Sequence, residues 1–193
     1  FHPGQFVSQR QLVTMTGLPL GAIRELIPRL EAEGLIKTVP QRGLQIAHID
    51  LNLIREAFQF RLFIEKESIA IFCQSASDEL LRSLRAAHED TLNRAMSEGE
   101  TPELEEQAQN IDCSMHDTIV GSLDNEIIWR AYQTNTIKMR LINQERFRIT
   151  GRVIPVMQEH LSVLSAIETR DPQTAMDAIA VHINNARKLA LQI

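Results

Sequence analysis

Neither a membrane span nor a secretion signal can be read in residues 1–193. No run of 18 apolar residues occurs, so no segment reads as a membrane span. The start shows no signal-peptide pattern, and the first residue is Phe1 rather than an initiator Met. There are two cysteines, Cys73 and Cys113, with no C-x-x-C spacing. That usage fits a reducing compartment, and a cytoplasmic protein is expected. No Gly-rich phosphate loop occurs, and no nucleophile has a base beside it. Any hydrolytic chemistry would have to come from a bound metal with an open position. Repeats and low-complexity tracts are absent as well.

What is present suits a globular protein of one or two domains. The 193 residues are 44% hydrophobic, enough for a buried core. The net charge of −5 is unevenly spread. Residues 1–47 carry five Lys/Arg against three acids, a balance of +2, and the remainder carries 15 against 22, a balance of −7. A small basic module joined to a larger acidic one fits a nucleic-acid reader attached to something that is not one.

Local signals divide the chain the same way. Ser8 and Gln11 form a capping box that opens a helix, and Gly17 closes it. A second helix is expected from about Pro19 to Glu33, with Ala22, Ile23, Leu26, Ile27 and Leu30 on its apolar face. Residues 35–39 and 44–47 read as strands around a turn at Pro40-Gln41-Arg42-Gly43. Helix, turn, helix and hairpin make a winged helix-turn-helix over residues 1–47; a small α+β unit with no DNA role is the bland alternative. From residue 48 onward the pattern is helical. Helices are expected at about 51–75, 77–97, 101–121, 125–149, 155–169 and 171–193, forming an all-α antiparallel six-helix bundle. Ser77 or Asp78, Thr101 with Pro102, and Asp171 with Pro172 mark three of the starts.

Asp112 and His116 are four apart and share one face of the 101–121 helix. Both residue types ligate divalent metals. His160 and His182 fall at the inward phase of two later helices, so four ligands from three helices could close around one ion. Imidazole and one carboxylate suit zinc, nickel, manganese or iron without choosing among them. A merely polar cluster is the alternative. Cys113, about 100° round the helix from Asp112, is expected in the core. His48 and His88 have no evident partner.

These residues resemble the GntR family of bacterial transcription regulators. Pro3-Gly4, Ser8-Gln9-Arg10-Gln11-Leu12, Ile23-Arg24-Glu25-Leu26-Ile27 and Leu30-Glu31-Ala32-Glu33-Gly34-Leu35 stand where its DNA-binding domain has matching runs, and Arg42-Gly43 matches the wing turn. By that resemblance the domain's first helix would precede Phe1. Residues 48–193 resemble the FadR-type ligand domain, called FCD. Its pattern is met by Arg61 to Glu65, Asp112-x3-His116, Asn125, Glu159-His160-Leu161, Ala166-Ile167, Asp171 with Ala175, and His182.

The resemblance implies a homodimeric regulator of the repressor kind that binds an inverted-repeat operator and is not an enzyme. A metal-dependent enzyme acting on a small acid is the alternative. The resemblance also implies a small carboxylate or sugar acid as effector, paired by Arg61 and by Arg140 on the helix before His160. The bland alternative pairs Arg61 with Glu65 one turn along and leaves Arg140 solvated. Arg10, Arg24 and Arg42 are the candidates for DNA contact. One departure is plain: Pro19-Leu20-Gly21-Ala22 replaces the family's Ser-Arg-Thr-Pro, and Leu20 cannot make a bidentate bond to guanine. Pro28 inside the second helix is expected to cost about 3 kcal/mol or kink it.

Overall fold

Capping chemistry sets most element boundaries in the computed structural model, which describes residues 1–146 and 151–191. Helix α1 (Gln9–Thr16) starts from Ser8, whose side chain and that of Gln11 cap each other's backbone N–H, and ends on Gly17 at φ 70°. Helix α2 (Leu20–Ala32) follows from Pro19. Strands β2 (Ile36–Val39) and β3 (Gly43–Ile46) form the expected antiparallel hairpin. A further strand, β1 (Phe6–Val7), pairs with the other edge of β3, giving the order β1-β3-β2. Two residues are too few to show alternation, so the sequence alone does not reveal it. Gly43 needs its missing side chain: at φ 93°, a Cβ would sit 3.0 Å from the Val7 carbonyl oxygen.

Val7, Ile23, Ile27, Leu44 and Ile46 make the core of this unit. Leu26, expected on the same face, is exposed, because it lies about 100° back from Ile27 around the helix. Helix α2 runs continuously through Pro28. Pro28 and Arg24 are both exposed, so the Arg24 carbonyl that loses its helical donor can be satisfied by water.

Among the described residues six helices follow: α3 (Leu51–Ser75), α4 (Asp78–Glu98), α5 (Pro102–Gly121), α6 (Glu126–Arg146), α7 (Val153–Glu168) and α8 (Pro172–Leu191). Asp50, Ser77 and Thr101 cap α3, α4 and α5, and Pro102 takes the first turn of α5. Asn125 accepts from the N–H groups of Ile127 and Ile128, and Asp171 accepts from that of Thr174, opening α6 and α8. The helix ends expected near Ile149 and Ile193 lie outside the described residues. Helix α3 packs chiefly on α8, and α4 on α7, with α5 reaching α3, α4, α6 and α7.

Among the described residues two apolar clusters fill the bundle. The larger holds Phe58, Phe72, Met115, Ile119, Leu164, Ile179 and their neighbours; the smaller holds Leu104, Ala108, Val156 and Met157 among others. On α5 the clusters own residues on either side of Asp112, and on α7 on either side of His160. The polar residues therefore form a layer between two apolar ones. Leu141 of α6 packs against the core of the winged-helix unit. No described helix is long and apolar enough to cross a membrane.

Candidate metal centre

Helical phase brings Asp112, His116, His160 and His182 to one point. One donor atom from each lies within 4.8 Å of every other. Asp112 Oδ1 is 3.2 Å from His160 Nε2 and 3.8 Å from His116 Nε2, and His160 Nε2 is 3.3 Å from His182 Nε2. Donors bonded to one ion at 2.0–2.1 Å stand roughly 3–4 Å apart, so the spacing fits.

The far side of each ring explains why the same nitrogens face inward. His116 Nδ1 is 2.6 Å from Glu65 Oε2, and His182 Nδ1 is 2.8 Å from Glu159 Oε2. A carboxylate oxygen accepts, so each Nδ1 carries the proton and each Nε2 keeps a lone pair, which at His116 accepts from Arg61 Nη2 at 2.6 Å. Glu159 is itself held by Asn185 Nδ2 at 3.1 Å. His160 Nδ1 meets His88 Nε2 at 3.1 Å. The ligand set, its tethers and a carboxylate together fit a divalent ion.

Electrostatics favour the same protonation states. Burial pushes His160 and His182 below the usual imidazole range, and the charges around them do not restore it. Burial would raise Glu65, but the Arg61 charge and the hydrogen bonds from His116 and Arg61 overcome it and hold the carboxyl at about 2. Burial likewise opposes ionised Asp112, and the surrounding histidines with the Arg61 guanidinium keep it well below the carboxylate range.

Beside the cluster is a cavity of about 40 Å³, walled by Arg61, Asp112, His116, Tyr132, Asn135 and Arg140, among others. Arg61 Nε donates to Glu65 Oε1 at 2.6 Å, the pairing expected as the bland reading, and Arg61 also borders the cavity. Arg140 stands exposed on the cavity's rim. Tyr132 donates to Asp117 Oδ1 at 3.0 Å, and burial with the Glu65 charge raises its phenol above the ordinary range.

Several expectations need correction. Cys113 is half-buried and lines the cavity instead of the core, because its turn away from Asp112 faces α6. His88, given no partner above, contacts His160. Its signal was available: Leu81, His88 and Ala95 are seven apart and all buried, which marks the inward face of α4. Glu65 and Glu159 as tethers were not legible, since each is defined by a contact with another helix.

The DNA candidates are all exposed. Arg10 lies in the first turn of α1, and Arg24 on α2 donates to Gln9 Oε1 at 3.4 Å. Arg42, in the β2–β3 turn, stacks 4.1 Å over the Phe6 ring. His48 hydrogen-bonds Gln45 at 2.8 Å.

Comparison with known proteins shows the family. Residues 56–185 match the FCD domain. The Nta operon transcriptional regulator of Aminobacter aminovorans is 22% identical over 197 residues, covering 100% of this chain and 88% of that protein. The HTH-type transcriptional repressor RspR of Escherichia coli (strain K12) is 20% identical over 191 residues, covering 99% and 82%. Among solved structures, E. coli McbR/YncC has a TM-score of 0.79 at 15% identity, covering 100% of this chain and 89% of that one. The metal-free FCD domain of TM0439 has a TM-score of 0.62 at 18% identity, covering 76% and 96%. Relatives matched over nearly the whole chain are transcription regulators rather than enzymes, and the chain belongs to the FCD-domain family of GntR-type transcriptional regulators.

Proposed function

We propose that this regulator is a FadR-type repressor whose helical bundle holds a divalent ion on Asp112, His116, His160 and His182. The carrying observation is the convergence of three imidazole nitrogens and one carboxylate oxygen, with the His116 and His182 rings tethered to carboxylates on their far side. Imidazole-rich sites of this kind suit zinc, nickel, manganese or iron. Four protein ligands leave positions on a six-coordinate ion for the oxygens of a small acid. The adjoining cavity and the guanidinium of Arg61 support a carboxylate or sugar acid there, with Arg140 at the rim.

Residues 1–47 are the DNA-binding domain and 48–193 the ligand domain. Two chains form a homodimer on an inverted repeat, since a two-fold protein matches a palindromic site. Arg10, Arg24 and Arg42 contact the operator. The repressor reading is supported by RspR, which is named a repressor. The protein works in the cytoplasm, where its DNA is. Acid binding changes operator affinity through a differential preference for one of two bundle states.

Two experiments test this. Metal analysis of purified wild-type, His160→Ala and His182→Ala proteins should show about one ion per chain in the first and a large loss in the variants. Full occupancy in both variants would place any ion elsewhere. Gel-shift with the protein's own upstream DNA, against a panel of hydroxy acids, dicarboxylates and sugar acids, should find an acid that changes retention. Calorimetry then follows its binding with and without chelator. An acid that binds tightly whether or not chelator or Arg61→Ala is present would sink the site.

A further inference from the structure

We propose that His88 is the positioning residue for His160: it fixes the proton on His160 Nδ1 and so delivers the Nε2 lone pair to the metal cluster. This rests on the metal reading above. His88 lies on α4, which supplies none of the four ligands, and it has no solvent exposure. Its Nδ1 is 2.7 Å from the Leu84 carbonyl oxygen, one turn back. A carbonyl only accepts, so Nδ1 carries a proton.

The other nitrogen is then determined. The ring's hydrogen-bond partners are a backbone carbonyl and another imidazole, with no carboxylate to stabilise a buried imidazolium, so the ring is neutral. Nε2 of His88 therefore has a lone pair and accepts. The group it meets, at 3.1 Å, is His160 Nδ1, which must donate. That leaves His160 Nε2 bare, 3.2 Å from Asp112 Oδ1 and 3.3 Å from His182 Nε2.

Each ligand histidine thus has one acceptor behind it, but the acceptors differ. Those behind His116 and His182 are carboxylates; the one behind His160 is a neutral ring anchored on the main chain. A carboxylate there would add a third buried negative charge beside Asp112 and Glu65. His88 orients the ligand without adding that charge, and its contact with the Leu84 carbonyl ties the orientation to α4.

The test uses the full chain with His88→Leu, which removes the acceptor at similar volume, and His88→Gln, whose amide oxygen can replace it. Cobalt(II) is the probe, read by its visible bands and by titration. Loss of a partner behind a metal ligand lowers affinity about 10–100-fold. His88→Leu should show that loss with altered bands, and His88→Gln should recover most of both. Nitrogen-15 NMR of the metal-free wild-type chain needs no variant. It should find His160 as the Nδ1–H tautomer, whereas neutral imidazole in water favours Nε2–H. An Nε2–H His160, or unaltered cobalt binding in His88→Leu alongside a loss in His160→Ala, would overturn the role of His88 alone. A wild-type chain that takes up no cobalt, zinc, nickel, manganese or iron would overturn the metal reading and this role with it.

Discussion

Arg61 donates from Nη2 to His116 Nε2 at 2.6 Å while its Nε holds Glu65 at 2.6 Å. One guanidinium therefore joins a ligand histidine to that histidine's own tether, because Glu65 also accepts from His116 Nδ1. The Glu65 side chain has no exposure and that of Arg61 only 12%. Removing one partner of a buried ion pair leaves a charge without solvent, which destabilises by about 3–5 kcal/mol. Arg61→Ala should lower the unfolding free energy by about 3 kcal/mol, the smaller end because Arg61 is partly solvated. Adding Glu65→Gln removes the stranded charge and should restore part of the loss. Urea denaturation with chelator present reads both; an unchanged midpoint in Arg61→Ala would show that the pair stabilises nothing.

Stability of the metal-free protein should fall as pH drops from about 6.5 towards 4. Burial holds His88 at about 4 and keeps His160 and His182 low as well. In the unfolded chain each titrates near pH 6.5. Above that pH both states are neutral and these groups add no dependence. Below it the unfolded chain takes up protons that the folded chain refuses, so folding weakens, by up to about 1.4 kcal/mol per pH unit for each histidine. Glu65 and Asp112 have depressed folded values, so their contribution is lost further down, as pH falls through the carboxylate range. Denaturation midpoints in chelator between pH 8 and 4 check this; a flat profile from 6.5 to 4.5 would mean that the imidazoles are not buried neutral.

Operator binding should depend on the exposed arginines in two different ways. Arg24 lies on the second helix of the helix-turn-helix, the position from which base edges are read. Arg24→Ala should cost about 1–3 kcal/mol and relax sequence preference. If Arg10 and Arg42 serve phosphates, replacing either should weaken specific and non-specific DNA alike while reducing the salt dependence by about one ion. Fluorescence anisotropy at several salt concentrations separates these patterns. Unchanged affinity in both Arg10→Ala and Arg24→Ala would remove those residues from the interface.

How much of this was legible in the sequence follows from the range of the forces involved. Caps act within four residues, so Ser8, Ser77, Thr101 and Asp171 announced their helices. Helical period is also local, and it put Asp112 and His116 on one face and turned His160 and His182 inward. The tethers Glu65, Glu159 and His88 reach across helices, where spacing along the chain carries no information about the partner. Strand β1 failed for a different reason, being shorter than one full alternation. Cys113 shows the limit of a rotation rule: it excludes one neighbour without saying whether core or cavity lies on the other side.

Helix α6 bears on how an acid in the cavity would reach DNA. Tyr132, Asn135, Thr136, Met139 and Arg140 wall the cavity, and Leu141, the next residue, packs against the core of the winged-helix unit. A shift of α6 on binding an acid would therefore act directly on the side of the unit that carries Val7, Ile23, Ile27, Leu44 and Ile46. Couplings between sites are typically about 1–3 kcal/mol, a factor of about 5–150 in affinity. Leu141→Ala removes the contact without touching either site. Metal content and operator affinity without acid should stay near wild type, while the factor by which acid changes operator affinity should shrink several-fold. Operator titrations with and without saturating acid measure that factor in both proteins. An undiminished factor in Leu141→Ala would mean that the signal leaves the bundle by another route.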